Sequence, residues 1–67
     1  MKWVVITDRE GEKFQIMSRL EREKMLDLYR VLRIHCPTHV VKVLESEEKA
    51  QAWVDDMKRI NLLIANI

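Results

Sequence analysis

A run of four arginines with one leucine and one tyrosine recurs between residues 19 and 33 at the spacing of a single helix face. At 100° per residue, these six side chains fall within an arc of about 100° that points away from the predicted core. Guanidinium groups form planar, bidentate contacts with carboxylates and phosphates, and a tyrosine ring can fill a protein pocket or stack on a base. The pattern predicts a partner-binding surface, here called the arginine stripe, formed by Arg19, Arg22, Leu26, Tyr29, Arg30 and Arg33.

The sequence leaves three interpretations of the arginine stripe open. Leu26 is an apolar side chain surrounded by arginines, as at the centre and rim of a protein interface, which favours a protein partner with an acidic surface. The net charge of +1 offers a polyanion no general attraction, so nucleic acid is the alternative. The third interpretation is a solvated helix face, because Glu23 and Asp27 border the stripe and exposed ion pairs contribute only ~0–1 kcal/mol.

Three side chains that can ligate metals, His35, Cys36 and His39, lie close together in the sequence. A zinc site needs four protein ligands, or three and a water, and the chain has no other histidine or cysteine. We therefore expect a connecting loop and no metal or other cofactor, while metal binding by these three residues stays open. A single glycine excludes the glycine-rich phosphate loop of nucleotide-using enzymes, so we expect no catalytic activity.

Two predicted strands precede the arginine stripe in the sequence. Residues 3–7, WVVIT, are β-branched and aromatic, and residues 13–17, KFQIM, alternate polar and apolar side chains. The polar stretch between them contains Gly11, which tolerates the positive φ of a turn. This pattern predicts a β-hairpin at the start of the chain.

Two helices and a third strand complete the predicted elements. Ser18 followed three residues later by Glu21 matches a capping box, and Pro37 ends a helix that should reach about residue 34. A third strand is predicted over 39–45, and Ser46 predicts the start of a second helix that runs from 47 to about 64. The predicted core faces of the two helices are Leu20, Met25, Leu28, Val31 and Leu32, and Ala50, Trp53, Val54, Met57, Ile60 and Ile64.

The order ββαβα predicts a single α+β domain over residues 1–67. Strand 1 is apolar on both faces whereas Lys13 and Gln15 suit an edge, so strand 1 should lie in the middle, in the order 2-1-3. The crossover from strand 2 through helix 1 makes strands 2 and 3 parallel, which predicts a mixed sheet. We expect both helices to pack on one face of this sheet.

Apolar side chains are left over in this arrangement, because two helices on one face leave the other face of the sheet bare. The end of the second helix is also more apolar than a solvated helix end needs. Leftover apolar surface usually marks an interface, so we expect a homodimer. The predicted self-association residues, besides the open sheet face, are Leu62, Leu63 and Ile67.

Composition limits the remaining possibilities. The 67 residues are 48% hydrophobic and 34% charged, which suits one small folded domain and excludes a disordered or collagen-like chain. One cysteine favours a reducing compartment, and no apolar run approaches a signal-peptide core or a membrane span. We therefore expect a soluble cytoplasmic interaction module, a regulator or inhibitor that binds a partner protein, and not a membrane protein. A nucleic-acid-binding protein is the alternative.

Overall fold

The computed structural model describes residues 2–65, which form a three-stranded sheet and two helices. The elements follow one another as β1 (Trp3–Thr7), β2 (Phe14–Ser18), α1 (Arg19–Val31), β3 (His39–Leu44) and α2 (Glu47–Ala65). The predicted α+β class and the order ββαβα are confirmed. Neither helix among residues 2–65 is both long and apolar enough to cross a membrane.

Strand β1 lies in the middle of the sheet, and the strand order β2-β1-β3 is the one predicted. It pairs antiparallel with both neighbours, so β2 and β3 run in the same direction without touching. The sequence predicts a mixed sheet, with parallel and antiparallel pairs. Both pairs in the structure are antiparallel, because β1 lies between β2 and β3, the two strands that run in the same direction. A bulge between Val5 and Ile6 shifts the register with β3, where Val4 pairs with Val43 and Ile6 with Val40.

The two helices lie on opposite faces of the sheet, which corrects the expectation that they share one. On one face, Met25 of α1 packs on a cluster formed by Val4, Ile6 and Met17. On the other face, α2 contributes to a second cluster whose buried members are Val5, Ala50 and Val54. No Cα of α1 approaches within 8 Å of a Cα of α2. The physical reason is that β1 is apolar on both faces, and one helix on each face removes both from water.

Helix α1 begins where the sequence predicts and ends earlier. Ser18 is its N-cap, and its hydroxyl oxygen accepts a hydrogen bond from the backbone N–H of Glu21 at 3.2 Å. The helix ends at Val31 because Arg33 adopts a left-handed conformation with a φ of 57°. The N–H of Ile34 then donates to the carbonyl of Tyr29, and the N–H of Arg33 to that of Arg30. This is the Schellman pattern, with an arginine at the position that glycine usually occupies.

The β1–β2 hairpin is closed by Asp8 and Gly11. Gly11 has a φ of 71°, and its N–H donates to the carbonyl of Asp8 at 3.2 Å. The carboxylate Oδ1 of Asp8 accepts from the N–H groups of Glu12 at 2.9 Å and Lys13 at 3.4 Å. These hydrogen bonds, of which the one from Glu12 has the largest effect, lower the pKa of Asp8 below its ordinary value. The glycine and the aspartate together fix the turn that aligns β2 with β1.

Helix α2 is longer than the sheet that it covers. Ser46 caps it, accepting a hydrogen bond from the N–H of Lys49 at 3.2 Å. Its residues Glu47–Ala65 span about 28 Å, whereas a strand of five residues spans about 17 Å. Ala50 and Val54 are buried, but Ile60 and Ile64 of the predicted core face are exposed because the helix has passed the end of the sheet.

Candidate protein-interaction surface

Helix α1 is rotated relative to the prediction, so that its most apolar face points to solvent. Of the residues expected in the core, Met25 packs on the sheet, whereas the other four are exposed, with Leu20 at 53%, Leu28 at 58%, Val31 at 78% and Leu32 at 56%. The side chains that face the sheet lie around Arg22, Met25, Leu26 and Tyr29. The difference corresponds to a rotation of about 120° at 100° per residue. We call Leu20, Leu28, Val31 and Leu32 the outer face of α1.

Arg22 occupies the buried centre of α1 and is only 7% exposed. Its Nη1 donates to the Thr38 hydroxyl oxygen at 2.7 Å, and its Nη2 donates to the Thr38 carbonyl oxygen at 3.1 Å. Thr38 stands directly before β3, so these bonds tie the helix to the incoming strand. These bonds and the packing of Met25 hold the same side of α1 against the sheet. The sequence does not reveal this role, because the spacing of Arg22 places it on the same helix face as Arg19, Arg30 and Arg33.

The guanidinium of Arg22 is buried without an acidic partner. No carboxylate among residues 2–65 lies within ion-pair distance of it, and its Nε has no hydrogen-bond acceptor. Burying a charge that is bonded only to neutral groups costs free energy. This end of the fold therefore carries an uncompensated positive charge.

The other members of the arginine stripe do not form one exposed line, which corrects their predicted arrangement on the helix, while their binding of a partner stays a prediction. Arg19 pairs with Glu23 at 3.8 Å, and Arg30 pairs with Asp27 at 3.4 Å. Arg33 lies beyond the helix in a left-handed conformation. Leu26 and Tyr29 are half-buried against the sheet rather than outward. The stripe is thus divided between a buried residue, two half-buried residues and three exposed arginines.

Cys36 joins the same cluster of contacts. Its Sγ lies 3.3 Å from the Thr38 hydroxyl oxygen, which also accepts the hydrogen bond from Arg22. The hydrogen bond with the Thr38 hydroxyl lowers the pKa of the Cys36 thiol below its ordinary value of 9.0, and the charge of Arg22 adds to this. His35 and His39 are exposed, and residues 2–65 contain no group of three His, Cys, Asp or Glu side chains placed to hold a metal ion.

A groove of about 490 Å³ separates α1 from β3 on the face that α1 covers. No Cα of α1 lies within 8 Å of a Cα of β3, so the helix covers β1 and β2 and leaves the third strand open. Val40 and Val43 are 40% and 49% exposed there. The α1–β3 groove is lined by Lys2, Val4, Arg19, Arg22, Glu23, Leu26, Val40 and Val43. Three residues of the predicted arginine stripe, Arg19, Arg22 and Leu26, thus line one groove.

The predicted self-association residues lie where α2 has passed the end of the sheet. Leu62 and Leu63 are 68% and 61% exposed, and Ile67 lies outside the described residues. Exposed apolar side chains are therefore found both on the outer face of α1 and at the end of α2.

Comparisons of this chain with models of known families, with curated proteins and with solved structures gave no match.

Proposed function

We propose that this chain is a non-catalytic protein-interaction module that self-associates and acts as a regulator or inhibitor by binding a partner protein in the cytoplasm. The observation that carries the proposal is the outer face of α1, where four large apolar side chains are each more than half exposed. These four side chains share one side of the helix with Glu21 and Lys24. Exposed apolar side chains grouped on one side of a helix are typical of an interface.

The surface area of the chain supports self-association. Its accessible surface is 5435 Å², whereas a compact monomer of this mass exposes about 4,500 Å². The Cα radius of gyration, 13.3 Å, also exceeds the value of about 11 Å for a compact domain of this length. The excess of about 900 Å² is close to the ~800 Å² that each partner buries in a standard protein interface.

A protein partner suits this surface better than nucleic acid. A phosphate-binding surface needs several exposed cations along one line. Here Arg22 is buried, and both Arg19 and Arg30 are paired with carboxylates. The outer face of α1 carries four exposed aliphatic side chains and only one base, Lys24, so it suits contact with protein better than contact with phosphates.

Light scattering on a sizing column tests the proposal. We expect the parent protein to elute as a dimer with a protein-like absorbance ratio at 260 and 280 nm. Leu28→Asp should elute as a monomer, since an aspartate on the outer face of α1 cannot be buried without cost. Ala52→Asp, on the exposed side of α2, is the control that introduces the same charge into a helix, and it should remain dimeric.

The same experiment carries the outcomes that contradict the proposal. A parent protein that is monomeric at every concentration would exclude self-association through this surface. A nucleic-acid-like absorbance ratio that disappears at high salt would favour the nucleic-acid alternative instead.

A further inference from the structure

Two apolar surfaces that nothing covers in one copy of the chain, within residues 2–65, lie on the same side of the sheet. One is the outer face of α1, and the other is the α1–β3 groove, whose floor includes Val40 and Val43. Register places both valines on the face that α1 covers, since Val43 pairs with Val4 and Val40 with Ile6. Each copy of the chain therefore offers both an apolar helix face and an apolar groove.

The spacing of the elements leaves room for a second helix beside α1. Neighbouring strands are about 4.8 Å apart, so β3 lies roughly 7–10 Å to the side of a helix placed over β1 and β2. Packed helices lie about 8–10 Å apart. A second helix placed over β3 would thus contact both β3 and the side of α1. The α1–β3 groove is the unoccupied space at that position.

Charge does not oppose this arrangement. In the groove, Lys2 pairs with Glu45 and Arg19 with Glu23, which leaves Arg22 as its cation without an acid among residues 2–65. The outer face of α1 includes one acid and one base, Glu21 and Lys24, and Asp27 at its border pairs with Arg30. The helix face therefore brings no net positive charge to the groove, and like charges do not repel across the contact.

We infer that the α1–β3 groove binds the outer face of α1 from a second copy of this chain, and that the second copy's groove binds the first copy's α1. This inference rests on the self-association proposed above and assigns its geometry. The two α1 helices lie side by side between two sheets, and the four apolar side chains of each outer face turn towards the open strand of the other copy. The contact is isologous, because a two-fold axis exchanges the helix and groove of one copy with those of the other.

A pair of single variants and their mixture tests this geometry. Val31→Asp damages the helix face and Val43→Asp damages the groove. Val31 is 78% exposed in one copy and Val43 is 49% exposed, so we expect each variant to fold. Each should raise the dimer dissociation constant by at least about 100-fold, because the substitution acts twice in a symmetric dimer. An equimolar mixture contains dimers with one undamaged helix–groove contact. The mixture should therefore associate at least tenfold more tightly than either variant alone, as measured by analytical ultracentrifugation.

Controls separate this geometry from other dimers. Circular dichroism and the thermal midpoint check folding, and Val40→Lys replaces Val43→Asp if the latter is unfolded, since an edge strand tolerates lysine. Leu62→Asp, on the end of α2, should leave the dimer intact. A dimer that survives Val43→Asp and Val40→Lys, or a mixture no tighter than the single variants, would overturn the helix–groove contact. Loss of the dimer in Leu62→Asp alone would assign self-association to α2 and overturn the inference, while a monomeric parent protein would overturn the proposed function as well.

Discussion

Replacing Arg22 with alanine tests whether α1 is oriented by its contact with Thr38. As part of an exposed arginine stripe, Arg22 would contribute almost nothing to stability. In the structure it is 7% exposed and donates two hydrogen bonds to the residue before β3, at 2.7 and 3.1 Å. We therefore expect Arg22→Ala to lower the free energy of unfolding and to loosen the attachment of α1 to the sheet.

The magnitude follows from two opposing effects. Hydrogen bonds to a charged group contribute ~1.5–3 kcal/mol each, so the two bonds to Thr38 contribute ~3–6 kcal/mol before other costs. The buried guanidinium has no carboxylate partner, and its desolvation offsets part of that gain. A net loss of ~2 kcal/mol on substitution is the expected result. In a domain of this size it corresponds to a fall of about 8–16 °C in the thermal midpoint.

Urea denaturation at one fixed protein concentration measures this loss, since self-association makes apparent stability concentration-dependent. Arg19→Ala is the matched control on the same helix, because Arg19 is exposed and its pair with Glu23 contributes less than ~1 kcal/mol. Adding Thr38→Val completes a double-mutant cycle, which should show a coupling energy of ~1–2 kcal/mol between Arg22 and Thr38. Equal stability of Arg22→Ala and Arg19→Ala, or a coupling near zero, would refute the assigned orientation of α1.

Three further predictions concern local conformation and ionisation. Arg33→Gly should raise the free energy of unfolding by ~0.5–1 kcal/mol in urea titrations, because glycine adopts the left-handed conformation at the helix end without steric cost. Asp8→Asn should be less stable than the parent at neutral pH. The pKa of Asp8 is lower in the folded state than its ordinary value of 3.8, so the ionised carboxylate stabilises the fold fully at pH values above 3.8. This stabilisation is lost as the pH falls through the folded-state pKa, and the thermal midpoints of Asp8→Asn and the parent should therefore converge in acid. Alkylation of Cys36 by iodoacetamide should show a pH midpoint below 9.0, and Thr38→Val should move it upward.

Each of these three predictions has an outcome that contradicts it. A destabilised Arg33→Gly variant would mean that the left-handed turn carries no strain. A gap between Asp8→Asn and the parent that stays constant down to pH 2 would show that the ionised carboxylate does not hold the hairpin. An alkylation midpoint for Cys36 that Thr38→Val leaves unchanged would show that the hydroxyl does not stabilise the thiolate.

Local chain chemistry determined the elements and their order. The β-branched run from Trp3 to Thr7 predicted β1 with its observed bounds, because such side chains favour a pleated surface over a helix. Ser18 and Ser46 predicted both helix starts, since a serine hydroxyl satisfies a free N–H of the first turn. Apolar side chains on both faces of β1 placed it in the middle of the sheet. These features depend on neighbours within a few residues, and the sequence contains that information.

Tertiary packing decided which surfaces remain exposed. Hydrophobic periodicity placed Leu20, Leu28 and Val31 in the core, yet the structure gives the inward position to Arg22, whose partner Thr38 is 16 residues away and cannot be recognised from helical spacing. Placement of the helices on opposite faces likewise depends on the packing of both helices against β1, whose two apolar faces each need a cover. Helical spacing alone therefore defines which residues share a face of α1. The contacts of the whole folded chain decide which of those faces packs on the sheet and which is left exposed for a second copy.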